Sequence, residues 1–284
     1  MPHAMKLGNW TYGYEKMPLE ESIAHMASIG YRGVELATGD DYSTPIDTLD
    51  DRRVDEIAAL LERHRMEPTA VTGLFGLVAP TPTERDERLR KFRRAIEVAA
   101  RLGAPYVAIG SGAAPQGWHR EQVWDELRAN AYAVAEYAGE KGVTIALEPH
   151  WGAAAERPGD ALELLAAVGL PSLRINCDVC HPFALGYDLA SIAKILGSRA
   201  VYCHVCDVRG RHPGDLQLCN PGEGEIDWGR WLRLLHDEGF QGWITVQISV
   251  MRRRGPDYDP KKCNEDIYRV LTEVMASTGV PRTR

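Results

Sequence analysis

The sequence predicts a single (β/α)8 barrel spanning residues 1–284, and three observations carry that expectation. Short apolar or β-branched runs alternate with helical segments eight times along the chain. Strict alternation of this kind implies parallel strands joined by right-handed crossovers, and eight units favour a closed barrel over an open sheet. Residues of metal-binding type also stand at the ends of the late strands, on the rim where such barrels place their chemistry.

The elements read in order. Lys6–Trp10 is the first strand, and the helical stretch Leu19–Ser28 ends at Gly30. Gly33–Leu36 is the second strand, followed by the amphipathic segment Leu49–His64. Thr69–Gly73 is the third strand, and the charged helix Arg85–Leu102 stops at Gly103. Tyr106–Gly110 precedes the long helix Glu121–Glu140, and Val143–Leu147 precedes the helix Asp160–Ala167. Leu173–Asp178 leads to the helix Leu189–Leu196, and Val201–Val205 leads to the helix Trp228–Glu238, with Asp227 as its expected N-cap. Trp243–Ile248 is the eighth strand, and Asn264–Met275 closes the chain. The longer loops, Thr38–Thr48, Phe75–Thr83, Gly210–Gly224 and Met251–Pro260, all follow strands.

Composition narrows the function classes. A hydrophobic share of 44% supports one sizeable core, and a net charge of −7 disfavours general binding to nucleic acid or anionic membrane. No run approaches the roughly 18 apolar residues of a membrane span. Met1–Ala4 carries no secretory pattern and reads as a tail before the barrel, so the expected compartment is the cytoplasm. No GxGxxG follows the first strand and no Walker motif occurs. Cys177-x-x-Cys180 and Cys203-x-x-Cys206 have the spacing of a zinc ribbon, but each pair ends an apolar strand and is interleaved with Asp and His. Buried free thiols are the expectation.

The chemistry concentrates on four strand ends: Glu148-Pro149-His150, Asn176-Cys177-Asp178-Val179-Cys180-His181, Cys203-His204-Val205-Cys206-Asp207 and Gln247-Ile248-Ser249. A charge at the end of an apolar strand is costly unless paired or ligated. Barrel closure brings these ends to one mouth although they lie 26 to 43 residues apart. Glu148, Asp178 and His204 together suit one divalent metal, with Mn²⁺ placed first and Mg²⁺, Co²⁺ and Zn²⁺ as alternatives. His150, two residues beyond Glu148, falls on the same side of an extended strand and suits acid–base work. Trp10, Phe75, Trp118 and Trp151 are candidates for the walls of a sugar pocket, Glu35 for a substrate or ligand hydrogen bond, and Asp207 for a contact beside the site.

These segments resemble the sugar phosphate isomerase/epimerase superfamily, the xylose-isomerase-like barrels. The likeness extends to Gly33-Val34-Glu35-Leu36 and to Pro221-Gly222-Glu223-Gly224-Glu225-Ile226-Asp227-Trp228. The resemblance implies a Glu, Asp, His, Glu ligand set, matched in its first three members by Glu148, Asp178 and His204. It implies that His181 contacts substrate oxygens and that Arg209 holds a hydroxyl or carbonyl, here at a spacing one residue shorter. It also implies a sugar-like small-molecule substrate and assembly as a dimer or tetramer. The fourth ligand departs from the pattern, being Gln247. An amide oxygen still ligates a metal but accepts no proton. Glu148 or His150 then supplies one-base chemistry, another residue replaces the missing base, or the substitution inactivates.

The reading expected is a metal-dependent isomerase or epimerase of a small ketose, inosose or sugar derivative. Its alternatives are a lyase on the same scaffold, by dehydration or cleavage of a 3-oxo-glycoside, and a non-catalytic sugar-binding barrel. A phosphodiesterase like endonuclease IV needs histidines on strands three and four, which end Thr72-Gly73-Leu74 and Gly110-Ser111-Gly112.

Overall fold

In the computed structural model, which describes residues 4–211 and 214–281, the chain builds its barrel from strands that run through a buried centre to a polar rim. The order is β1 (Lys6–Trp10), α1 (Leu19–Ile29), β2 (Gly33–Ala37), α2 (Asp51–Arg63), β3 (Glu67–Gly73), α3 (Pro82–Leu102), β4 (Tyr106–Gly110), α4 (Arg120–Glu140), β5 (Thr144–Glu148) and α5 (Pro158–Val168). It continues with β6 (Leu173–Asn176), α6 (Cys180–Ala184), α7 (Leu189–Leu196), β7 (Ala200–Val205), β8 (Asp207–Arg209), β9 (Gln217–Cys219), α8 (Trp228–Asp237), β10 (Trp243–Val246), α9 (Val250–Arg253) and α10 (Pro260–Thr278). The eight parallel strands close in the order β1-β10-β7-β6-β5-β4-β3-β2, as the alternation predicts. The expectation about Met1–Ala4 falls outside the described residues except at Ala4, and the loop Gly210–Gly224 is described except at His212 and Pro213.

Local chemistry sets the helix starts. Thr81 accepts the Glu84 N–H with Pro82 in the first turn, and Asp259 accepts from Lys261 and Lys262 with Pro260 in the first turn. Both helices therefore begin three or four residues before the hydrophobic period becomes visible. Asp227 caps α8 by accepting the Arg230 N–H.

Two strands end earlier than their apolar runs suggest. β6 stops at Asn176 and β10 at Val246, and the chain leaves the ladder where polar side chains turn into the mouth. The register shifts between Val34 and Glu35 and between Ile175 and Asn176. Such irregularities re-aim a side chain, and both precede a polar residue that reaches the site.

The long loop after β7 is not irregular. It carries the antiparallel pair β8–β9. Beneath the rim, Tyr202 OH meets Thr69, Thr245 and Glu35 at 2.7, 2.7 and 3.0 Å, so the barrel centre is a hydrogen-bonded plug rather than a channel. All six cysteines are free and buried, and burial holds the Cys177 and Cys180 thiols protonated by pushing their pKa values up. Among the described residues no helix is long and apolar enough to cross a membrane.

Candidate active site

Four neighbouring strands deliver the polar cluster. Glu148 ends β5, Asp178 lies two residues past β6, His204 sits within β7 and Gln247 follows β10 directly. Glu148, Asp178, His181 and His204 are buried at 8%, 1%, 1% and 1% exposure, so their charges must be balanced locally.

His204 lies between two carboxylates. Its Nε2 is 2.8 Å from Glu35 Oε2 and its Nδ1 is 2.9 Å from Glu148 Oε2. A carboxylate only accepts, so Nε2 carries a proton toward Glu35. Burial lowers the imidazole pKa, but the negative charge of Glu35 and the hydrogen bonds to both carboxylates outweigh it and hold the pKa well above the usual value. Nδ1 faces Glu148 across a gap that needs a proton or a cation. Glu148 in turn is destabilised as an anion by burial, yet hydrogen bonds from His181 and His204 hold its pKa well below the usual range.

His181 Nε2 lies 3.1 Å from Glu148 Oε1 and 3.7 Å from Asp178 Oδ2. Burial pushes Asp178 up to about 6. The His150 ring lies 3.7 Å from that of His181, centroid to centroid, and its Nδ1 donates to the Trp151 carbonyl at 2.6 Å. That bond leaves Nε2 as the acceptor. Burial, reinforced by the charge of His181, lowers the His150 pKa to about 4, so the ring is neutral near pH 7.

The residues fit a divalent cation. Asp178 Oδ2, His181 Nδ1 and Gln247 Oε1 are buried without a hydrogen-bond partner, and Glu148 Oε1 and His181 Nε2 have only each other, at 3.1 Å. Protein interiors pair nearly all such atoms. Here candidate ligand atoms of Glu148, His150 and His181 lie within 4.8 Å of one another, as do those of Asp178, Cys180 and His181, and Gln247 lines the same cavity as Glu148. Carboxylate, imidazole and amide donors suit Mg²⁺, Mn²⁺, Co²⁺ or Zn²⁺. The hydrogen bond from His204 Nε2 to Glu35 is of the kind that would orient a ligating histidine and free its other nitrogen.

A cavity of about 380 Å³ opens above this floor. Glu148, His150, His204 and Gln247 line it, with Trp10, Tyr12, Leu74 and Trp151 and a glycine-rich wall at Gly73, Gly76, Gly110 and Gly112. Trp10 contributes little more than an edge. Tyr12 stacks on it at 4.2 Å and the His204 ring lies 5.0 Å from it, both nearly parallel.

Several candidates from the sequence lie elsewhere. Glu35 is fully buried under the floor, held by Thr72, Tyr202 and His204, and so supports a ligand rather than the substrate. Asp207 is also fully buried. It accepts from the N–H groups of Val208, Gly222 and Ile226 and from Trp228 Nε1. A Cβ at Gly224 would overlap its carboxylate, which gives the Gly222-Glu223-Gly224 run a structural reason. Arg209 is exposed and donates to the Glu223 carbonyl, away from the cavity. Phe75 packs edge-on against Phe92 at 4.8 Å, and Trp118 packs on the core before α4. Neither lines the cavity.

Sequence reasoning missed Tyr12, Leu74, Gly110 and Asn176. Asn176 carried the same signal as its neighbours, a polar side chain ending an apolar strand. The other three carried none, because nothing local distinguishes a loop tyrosine, a loop leucine or a strand-end glycine.

A family model described as xylose isomerase-like TIM barrel matches residues 23–273. Fructoselysine 3-epimerase of Shigella flexneri is 26% identical over 277 residues, covering 95% of this chain and 99% of that protein. Inosose isomerase of Halalkalibacterium halodurans is 24% identical over 243 residues, covering 82% and 84%. The crystal structure of the IOLI protein with a bound zinc atom superposes with a TM-score of 0.79 at 22% identity, covering 96% of this chain and 98% of that one.

Proposed function

Because the chain belongs to the xylose isomerase-like TIM barrel family, we propose that it is a metal-dependent isomerase or epimerase of a small polyhydroxylated carbonyl compound, a ketose or an inosose. The observation that carries this reading is the group of unpaired buried donor atoms at the cavity floor. The curated relatives named as a 3-epimerase and an isomerase support the reaction class.

Glu148, Asp178, His204 and Gln247 would hold one divalent ion. When bound, the ion polarises adjacent substrate oxygens and acidifies the neighbouring C–H. The chain's own residues do the rest. Glu148 is kept anionic by the two histidines, and His150 is kept neutral with Nε2 available, so both can accept a proton at the cavity wall. His181, immobilised between Glu148 and Asp178, fixes the two carboxylates beside the cavity.

Gln247 favours a second reading, a lyase. Its amide accepts no proton, so a reaction needing one base is less impaired than one needing a base on each face. One experiment separates them: metal analysis of the purified protein, then incubation with ketoses, an inosose and a 3-keto-glycoside in D₂O. The expected result is about one ion per chain and deuterium in an intact stereoisomer, with Glu148→Gln reducing turnover about 10³-fold. Loss of water or of an aglycone supports the lyase. Absence of both metal and exchange overturns the proposal.

A further inference from the structure

Asn176 bridges two residues of the cluster, Glu148 and His204, and it is fully buried. It ends β6, the strand between β5 and β7. Its Nδ2 donates to Glu148 Oε2 on β5 at 3.0 Å and lies 2.9 Å from His204 Nδ1 on β7. Its Oδ1 accepts the backbone N–H of His204 at 3.1 Å. One side chain therefore grips both neighbouring strands at the two residues that define the floor.

The backbone explains how it reaches. Ile175 pairs with Ala200 and Asn176 with Tyr202, so one residue of β7 is skipped where Asn176 begins. That shift turns the side chain toward the barrel axis. The amide does both jobs, since it donates from nitrogen and accepts at oxygen without adding charge to a site already holding Glu35, Glu148 and Asp178.

We propose that Asn176 is a positioning residue that holds Glu148 Oε2 and the His204 ring in the arrangement a divalent ion requires, an inference that rests on the metal reading of the site. Partners that orient ligands in this way typically govern metal affinity by about 10–100-fold. Asn176→Leu keeps the volume and removes all the polar contacts. Asn176→Asp keeps the acceptor toward the His204 N–H and removes the donor to Glu148.

The test is titration of metal-stripped protein with Co²⁺, followed by the visible absorption of the bound ion and by competition with a chromophoric chelator. Circular dichroism and thermal unfolding are recorded alongside. Both variants are expected to fold, to bind Co²⁺ about 10–100-fold more weakly than the wild type, and to show a changed ligand-field spectrum. Variants that match the wild type in affinity and spectrum overturn the proposal and leave the metal reading standing. A wild type that takes up no Co²⁺ overturns both. If both variants lose the folded state, the residue is structural and the proposal fails.

Discussion

The two halves of the barrel mouth are built for opposite purposes. From β5 through β10 the strand ends carry Glu148, Asn176, Asp178, His204 and Gln247. From β2 through β4 they carry Ala37, Gly73 and Gly110, which offer almost no side chain. The boundary is sharp, because Gly110 pairs in register with Glu148. Residues paired across parallel strands share a face, so a side chain at 110 would enter the mouth beside the carboxylate. A Cβ there would meet nothing within 4 Å. One half supplies charge and ligands, and the other supplies room for what they act upon.

Three substitutions break or sharpen that contrast. The largest expected effect is on stability and falls on the chemical half, outside the cavity. Asp207→Ala leaves three backbone N–H groups and the Trp228 indole N–H without their acceptor. The expected cost is about 3 kcal/mol, read as a fall in the thermal midpoint, with metal affinity unchanged. A loss of metal binding without a loss of stability would make Asp207 part of the site. Next, Glu35→Gln removes the carboxylate behind His204 and should weaken metal binding about 10–100-fold, measured by chelator competition. Although it comes from β2, Glu35 reaches across the barrel below the rim, so an unchanged affinity would confine the chemistry to β5–β10. The smallest effect belongs to the empty half. Gly110→Val should fold and bind metal as the wild type does while raising KM about tenfold for the substrate found in the exchange assay. An unchanged KM would mean that the substrate leaves this space unused.

The polar rim residues were legible because expense marks them. Glu148 and Asp178 interrupt strand-like apolar runs, and an uncompensated charge there would destabilise the barrel. The supporting residues were less legible. Asp207 and Glu35 carry the same charge signal, but the sequence does not distinguish a carboxylate that faces a cavity from one that gathers backbone N–H groups. Arg209 was placed by the family resemblance, at a spacing from His204 one residue shorter than the pattern. The hairpin β8–β9, too short to show a period, carries it to the surface instead. The aromatic candidates divided in the same way, since Phe75 and Trp118 turn toward the core and Trp151 toward the cavity.

The sequence by itself determined the eightfold alternation, the helix cap at Asp227, and the rim to which Glu148, Asp178, His204 and Gln247 belong. Those features follow from short-range periodicity and from the direction of parallel strands, both written along the chain. Only the tertiary structure decided that Glu35 holds His204 and Asn176 holds Glu148, that Trp10 stacks with Tyr12 and the His204 ring, and that Gly110 opens the space beside Glu148. These depend on register shifts and on contacts between strands far apart in sequence. They are set by how eight strands close, which no single segment encodes.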